Sequence, residues 1–208
     1  MAMNALDTTQ LLAIAAALGW ASGLRLYAVL FLTGLAGHLG WVVLPDGLKL
    51  LQHPVMLGAS GLMLAVEFLA DKVPGLDTLW DVLHTLIRIP AGALLAAAVF
   101  GGDSGTWQAA AALMGGTLAA TAHAAKATTR AAVNTSPEPF SNVGLSLAGD
   151  AAVPAMLWLS WTHPLAFFAT LAVAVGVALA LTLWLFRSLR GLLRRFFPGR
   201  APAASASR

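Results

Sequence analysis

Apolar residues run along the chain in six long stretches, separated by short breaks that are polar or contain Gly and Pro. A helix needs about 20 apolar residues to cross the hydrocarbon core of a bilayer. The stretches at 11–36, 54–72, 83–101, 106–127, 143–161 and 164–186 predict an all-α membrane protein with about six transmembrane helices. The breaks carry turn chemistry. Pro45-Asp46-Gly47 lies in the first, Pro74-Gly75 in the second, Gly101-Gly102-Asp103-Ser104-Gly105 in the third and Ser136-Pro137-Glu138-Pro139 in the fourth. His53-Pro54 and His163-Pro164 each open a span, with proline in the first turn, where its missing N–H costs nothing.

Composition narrows the class. Of 208 residues, 59% are apolar and 10% charged, and the mean hydropathy is +0.79. A soluble domain is about half apolar and about a quarter charged. These values exclude a disordered chain and disfavour a soluble enzyme. The net charge of +3 does not point to nucleic acid, because Arg187, Arg190, Arg194, Arg195, Arg200 and Arg208 crowd the last 22 positions. Arginines straight after an apolar segment read as a cytoplasmic anchor on anionic lipid. One polytopic domain is therefore expected over 1–186, with a basic, disordered cytoplasmic tail over 187–208. The chain has no Cys, so disulfides, thiolate nucleophiles and Cys-ligated metals are excluded. The first 24 residues hold no Lys or Arg, so a cleavable leader is not expected.

Basic residues also predict orientation. With both termini in the cytoplasm, Lys72, Lys126, Arg130 and the six C-terminal arginines fall inside, and only Lys49 falls outside. Trp41, Trp107 and Trp161 then lie near the outer interface, and Trp80 and Trp184 near the inner one.

Charges within the spans are the informative positions. A charged residue near the bilayer centre costs at least roughly 2.5–3.5 kcal/mol. Glu67 and Asp71 are four residues apart. Asp77, Asp81, His84 and Arg88 keep helical spacing, as do His123, Lys126 and Arg130. On helices, each set forms one stripe that can turn away from lipid. With Asp150, about two turns into the fifth span, they are expected to converge on one polar site open to the cytoplasm. Arg25 lies near mid-bilayer and needs a carboxylate or a bound anion, with Glu67 and Asp150 the candidate partners. Each has a plainer reading. Lys72, Lys126 and Arg130 serve equally as positive-inside anchors, and Asp77 and Asp81 as solvated residues at a helix start. His84 and His123 could relay protons near neutral pH, whereas His53 and His163 read as loop residues.

The pattern Gly-Leu-x-Leu-Ala-x-acid occurs at 61–67 and again at 144–150. It suggests a 3+3 inverted repeat, an arrangement that transporters use.

Several landmarks are familiar in order and spacing. They are Gly23-Leu24-Arg25, Glu67, Val73-Pro74-Gly75-Leu76-Asp77 with Asp81, Pro90-Ala91-Gly92, Lys126 with Arg130, and Asn142 through Ser146 to Asp150. Over roughly 10–160 the chain resembles bacterial membrane proteins grouped as domain of unknown function 4126. The resemblance implies a multi-pass protein of the bacterial inner membrane, adds Asn142 to the site and supplies no activity.

Three functions fit. The first is a small transporter or flippase for an anionic substrate, with Arg25, Arg88, Lys126 and Arg130 holding the anion. Glu67, Asp150 and His123 would carry protons, Asp71, Asp77, Asp81 and Asn142 would complete the site, and a homodimer is expected. The second is a structural or assembly protein whose buried charges only fix helix packing. The third, an embedded enzyme, is disfavoured, because the chain lacks His-Glu-x-x-His and Gly-x-Ser-x-Gly motifs. No cofactor, metal or nucleic acid is expected; the partners are the bilayer and anionic lipid at the Arg-rich tail.

Overall fold

The computed structural model describes residues 6–73, 75–102, 105–134 and 140–196. These form six α-helices and one 3₁₀ segment, with no strand among the described residues. The helices are α1 (Thr8–His38), α2 (Pro54–Ala70), α3 (Leu76–Val99), α4 (Gly105–Val133), α5 (Phe140–Thr162) and α6 (Pro164–Phe196). The 3₁₀ segment, Asp46–Gln52, joins α1 to α2. Pro74, Asp103, Ser104, the Pro137-Glu138-Pro139 stretch and the tail from Pro198 lie outside the described residues.

Helix starts follow local chemistry. Asp7 accepts the Gln10 N–H while the Gln10 side chain accepts the Asp7 N–H, a reciprocal cap on α1. The His53 ring accepts the Val55 N–H at the start of α2, ahead of which Pro54 needs no partner. Gly75 precedes α3 at φ +89°, a conformation that favours glycine.

Six helices occur in the expected order, but they do not all have the character of a span. α1, α3, α5 and α6 are long and apolar enough to cross a membrane. The 3₁₀ segment and α2 meet at 71° and make a fifth span if taken as one bent unit. α4 falls short because its body is Ala, Gly and Thr and its end carries His123, Lys126 and Arg130. α6 continues through Arg187, Arg190, Arg194 and Arg195 to Phe196, rather than ending at 186 where the apolar run stops. Arg and Leu have good helix propensity, and the stretch contains no proline, so the helix runs through Gly191.

α1 is the axis of the bundle and touches every other element. Its N-terminal half, from Ala13 to Ala21, is buried almost entirely. α3 and α4 pack against it closely through glycine. A Cβ on Gly19 would stand 2.5 Å from the Gly115 Cα, and one on Gly23 would overlap the Ala119 carbonyl. Such contacts replace the hydrophobic drive that lipid does not supply. The polar side of α3 (Asp77, Asp81, His84, Arg88) faces inward, while Leu79, Leu83, Leu86 and Leu94 face outward. This inside-out pattern suits an apolar solvent.

Candidate functional site

The buried charges meet at one end of the bundle, where α2 gives way to α3 and α4 to α5. Asp71, just past the end of α2, is a hub. It pairs with Arg25 at 2.6 Å, Lys126 at 2.9 Å and Arg130 at 3.0 Å. Asp81 on α3 is a second hub, pairing with Arg88 at 2.7 Å, Arg130 at 2.9 Å and Lys126 at 3.2 Å. Arg88 reaches the other way to Glu67 at 2.7 Å. Arg130 also reaches Asp77 at 3.2 Å, and Asp77 accepts from Asn134 and from the N–H groups of Gly75 and Thr78. Asp150 pairs with Arg25 at 2.9 Å and Lys72 at 3.2 Å, and both partners of the Lys72 pair are half-buried.

Five basic side chains (Arg25, Lys72, Arg88, Lys126, Arg130) and five acidic ones (Glu67, Asp71, Asp77, Asp81, Asp150) thus share one network. Their formal charges cancel. Isolated, each would be prohibitively expensive to bury; paired and hydrogen-bonded, they are tolerated.

The backbone takes part. Within α1, Arg25 leaves helical geometry at φ −148° and ψ 81°. The Ser22-Gly23 pair precedes it, and the Ser22 hydroxyl donates back to the Leu18 carbonyl at 2.6 Å. Gly/Ser pairs and such back-bonding are known causes of kinks. The break frees the Leu24 carbonyl, which accepts from Lys126 Nζ at 3.0 Å. Polar backbone in an apolar solvent needs such a partner. The Arg25 guanidinium also donates to the carbonyl and hydroxyl of Ser146 on α5.

A polar strand of contacts leaves the network between α1, α3 and α4. His123 lies 3.4 Å from Arg88 and hydrogen-bonds Thr85 at 2.8 Å. His84 stacks on Trp80 and meets the Tyr27 hydroxyl at 3.2 Å. Three atoms of the network, Glu67 Oε2, Arg25 Nε and Arg88 Nε, have neither a hydrogen bond nor an ion pair among the described residues.

The converging stripes are therefore as the spacing predicts, and Asp150 is a partner of Arg25. The expectations differ from the structure in four places. Glu67 pairs with Arg88 across the turn from α2 to α3. Arg25 takes Asp71 in its place. Lys126 and Arg130 are ion-paired members of the network rather than free anchors, Arg130 buried and the Lys126 side chain 9% exposed. Asp77 and Asp81 are buried rather than solvated, because α4 covers that face of α3. Asn142 is buried beside the site without joining it, and neither amide atom has a partner among the described residues. Ser146, Thr85, Tyr27 and Asn134 are the participants that charge-based reading misses. Ser146 could have been found, since it lies one turn before Asp150 on the same face.

Beside the network lies a cavity of about 410 Å³ between α1, α4, α5 and α6. Arg25, Lys126 and Arg130 line it, and no carboxylate among the described residues does. The rest of the lining is mostly apolar, and each of the three cations is ion-paired to an acid that is not among the lining residues.

Apolar helices around a buried, charge-balanced core define a helical membrane protein. The chain belongs to the family described as Domain of unknown function (DUF4126), whose model matches residues 12–187. No curated protein and no solved structure matches it.

Proposed function

We propose that the protein is a small transporter or flippase for an anionic substrate, six-span and with its charged end toward the cytoplasm. The observation that carries this reading is the cavity wall of Arg25, Lys126 and Arg130 beside a break in α1. Discontinuous spans with freed backbone groups are where transporters hold substrate. An anion at that wall competes with Asp71 and Asp150 for Arg25. Arg25 ties α1 to α5 through Asp150 and Ser146, and to the end of α2 through Asp71. Loosening those ties lets α5 move against α1, so binding couples to a change of shape. The 3+3 repeat and a homodimer belong to the same proposal.

The test is translocation by purified protein in vesicles. A fluorescent anionic phospholipid and entrapped phosphate are followed separately. At least one should cross faster than in protein-free vesicles, and folded Arg25→Gln protein should lose that gain. Neither crossing faster, or an undiminished rate in Arg25→Gln, rejects the proposal.

A packing role is the second reading, favoured by the cancellation of charge across the ten paired side chains. It predicts that Glu67→Gln lowers the melting midpoint by several degrees and that no solute or lipid is moved.

A further inference from the structure

We infer that the anion this site takes is an amphiphile: a small anionic head held by Arg25, Lys126 and Arg130, with an acyl chain lying between α5 and α6. The inference rests on the transport reading and names its substrate class. Four observations support it.

The first is the one-sided charge. Three cations line the cavity, and none of the carboxylates that pair with them is among its lining residues. The second is an unused donor. Arg25 is 1% exposed, and its Nε has no partner among the described residues. Gly149, which also lines the cavity, stands next to it. A Cβ there would meet nothing nearer than Arg25 Nε, at 3.9 Å. A buried N–H without an acceptor costs stability, and a small turn of the Arg25 side chain toward the cavity would let a head-group oxygen satisfy it.

The third is what else lines the cavity. Beyond the cations and two hydroxyl residues, the walls are apolar, with Leu145 and Ala152 on α5 and Ala174, Val177 and Ala178 on α6. A hydrated inorganic anion would exchange water for hydrocarbon there. An acyl chain gains from the same surface, by about 0.8 kcal/mol per buried CH₂. The fourth is access. α4 and α5 barely touch, and α6 bridges them. Val177 both lines the cavity and is exposed on the outer surface of the bundle, so the space reaches the face that lipid covers. The volume lies within the range of small-molecule sites, about 300–1,000 Å³.

The experiment uses the full chain in phosphatidylcholine nanodiscs. The melting midpoint is titrated with oleoyl lysophosphatidate, monooleoylglycerol and inorganic phosphate. Lysophosphatidate should raise the midpoint saturably, with an apparent affinity at least about tenfold above either control. Tenfold is the worth of one charge-assisted hydrogen bond. Arg25→Gln should remove that advantage. Two further variants leave every ion pair in place. Gly149→Ala sets a methyl against Arg25 Nε and should weaken binding several-fold; Ala178→Trp fills the chain's path and should weaken it at least about tenfold. Phosphate matching lysophosphatidate would mean a head-group site without a chain. Monooleoylglycerol matching it would mean a crevice without an anion site. Either result, no binding at all, or full binding in both Gly149→Ala and Ala178→Trp overturns the inference. Phosphate crossing vesicles without lysophosphatidate binding would sink the inference and leave the transport reading standing. Lysophosphatidate binding with nothing crossing would do the reverse.

Discussion

Two ion pairs of the same chemistry stand at opposite ends of α2. Asp46 and Lys49 meet at 2.6 Å in the 3₁₀ segment and are 80% and 62% exposed. Glu67 and Arg88 meet at 2.7 Å, and both are fully buried. The distances are nearly equal, but the surroundings are not. Water and salt screen the first pair, so either partner can be lost without consequence. The second sits in an apolar environment, where each charge is tolerable only because the other is there. The ion-pair distance says little about energy here; burial decides it.

The largest expected effect tests that difference directly. Arg88→Met leaves Glu67 and Asp81 facing each other's neighbourhood without the cation they share. Removing one partner of a buried pair costs about 3–5 kcal/mol, and here Glu67 loses its cation while Asp81 keeps Arg130 and Lys126. Chemical or thermal unfolding of purified protein should show at least that loss. Glu67→Gln added to Arg88→Met should recover part of it, because the amide needs no counter-charge. A melting midpoint for Arg88→Met equal to wild type would mean that the two regions do not differ as argued.

A second test asks how far packing, rather than charge, holds the charged end together. α4 crosses α1 at Gly23, two residues before the break at Arg25. Gly23→Ala would drive a methyl into the Ala119 carbonyl. Overpacking of this kind costs about 1–3 kcal/mol. It should also part Lys126 from the Leu24 carbonyl it now caps. An unfolding curve unchanged by Gly23→Ala would show that the helices can slide apart there without penalty, leaving the ion pairs alone to set the geometry.

The same contrast explains what the sequence made legible. Helix order and the inward stripes follow from spacing, since period and apolar content are local properties. Arg25 was visible as a buried charge needing an acid, and Asp150 as one candidate, because few acids occur at that depth. The choice between Glu67 and Asp71 was not visible. Both lie on one stripe of α2, and only the turn into α3 assigns Glu67 to Arg88 and leaves Asp71 to Arg25. The break in α1 was also hidden. Ser22-Gly23 is common in continuous helices, and its effect depends on α4 pressing on Gly23 from 96 residues away along the chain, at Ala119. α4 shows the limit of counting apolar residues. Its run of Ala and Gly reads as a span, but small side chains are there for close contact with α1 and α3. The partnerless Arg25 Nε has no signature in sequence at all, because it depends on where the guanidinium lies among Asp71, Asp150 and Ser146.

The smallest expected effect completes the comparison from the exposed side. The Lys49 ammonium beside Asp46 holds that carboxyl below its ordinary value, chiefly through their hydrogen bond. A depressed carboxylate pKa adds stability above the unfolded-state value and loses it as pH falls through the folded one. Whatever the pair adds is therefore present at neutral pH and lost in acid. In water the attraction is screened, and both side chains give up rotamer freedom to form it. Asp46→Asn should leave the melting midpoint unchanged at pH 7 in about 0.15 M salt, and unchanged again in about 0.5 M salt. A drop that salt does not erase would mean that Asp46 is held by something other than Lys49, and that exposure does not make an ion pair of this protein dispensable.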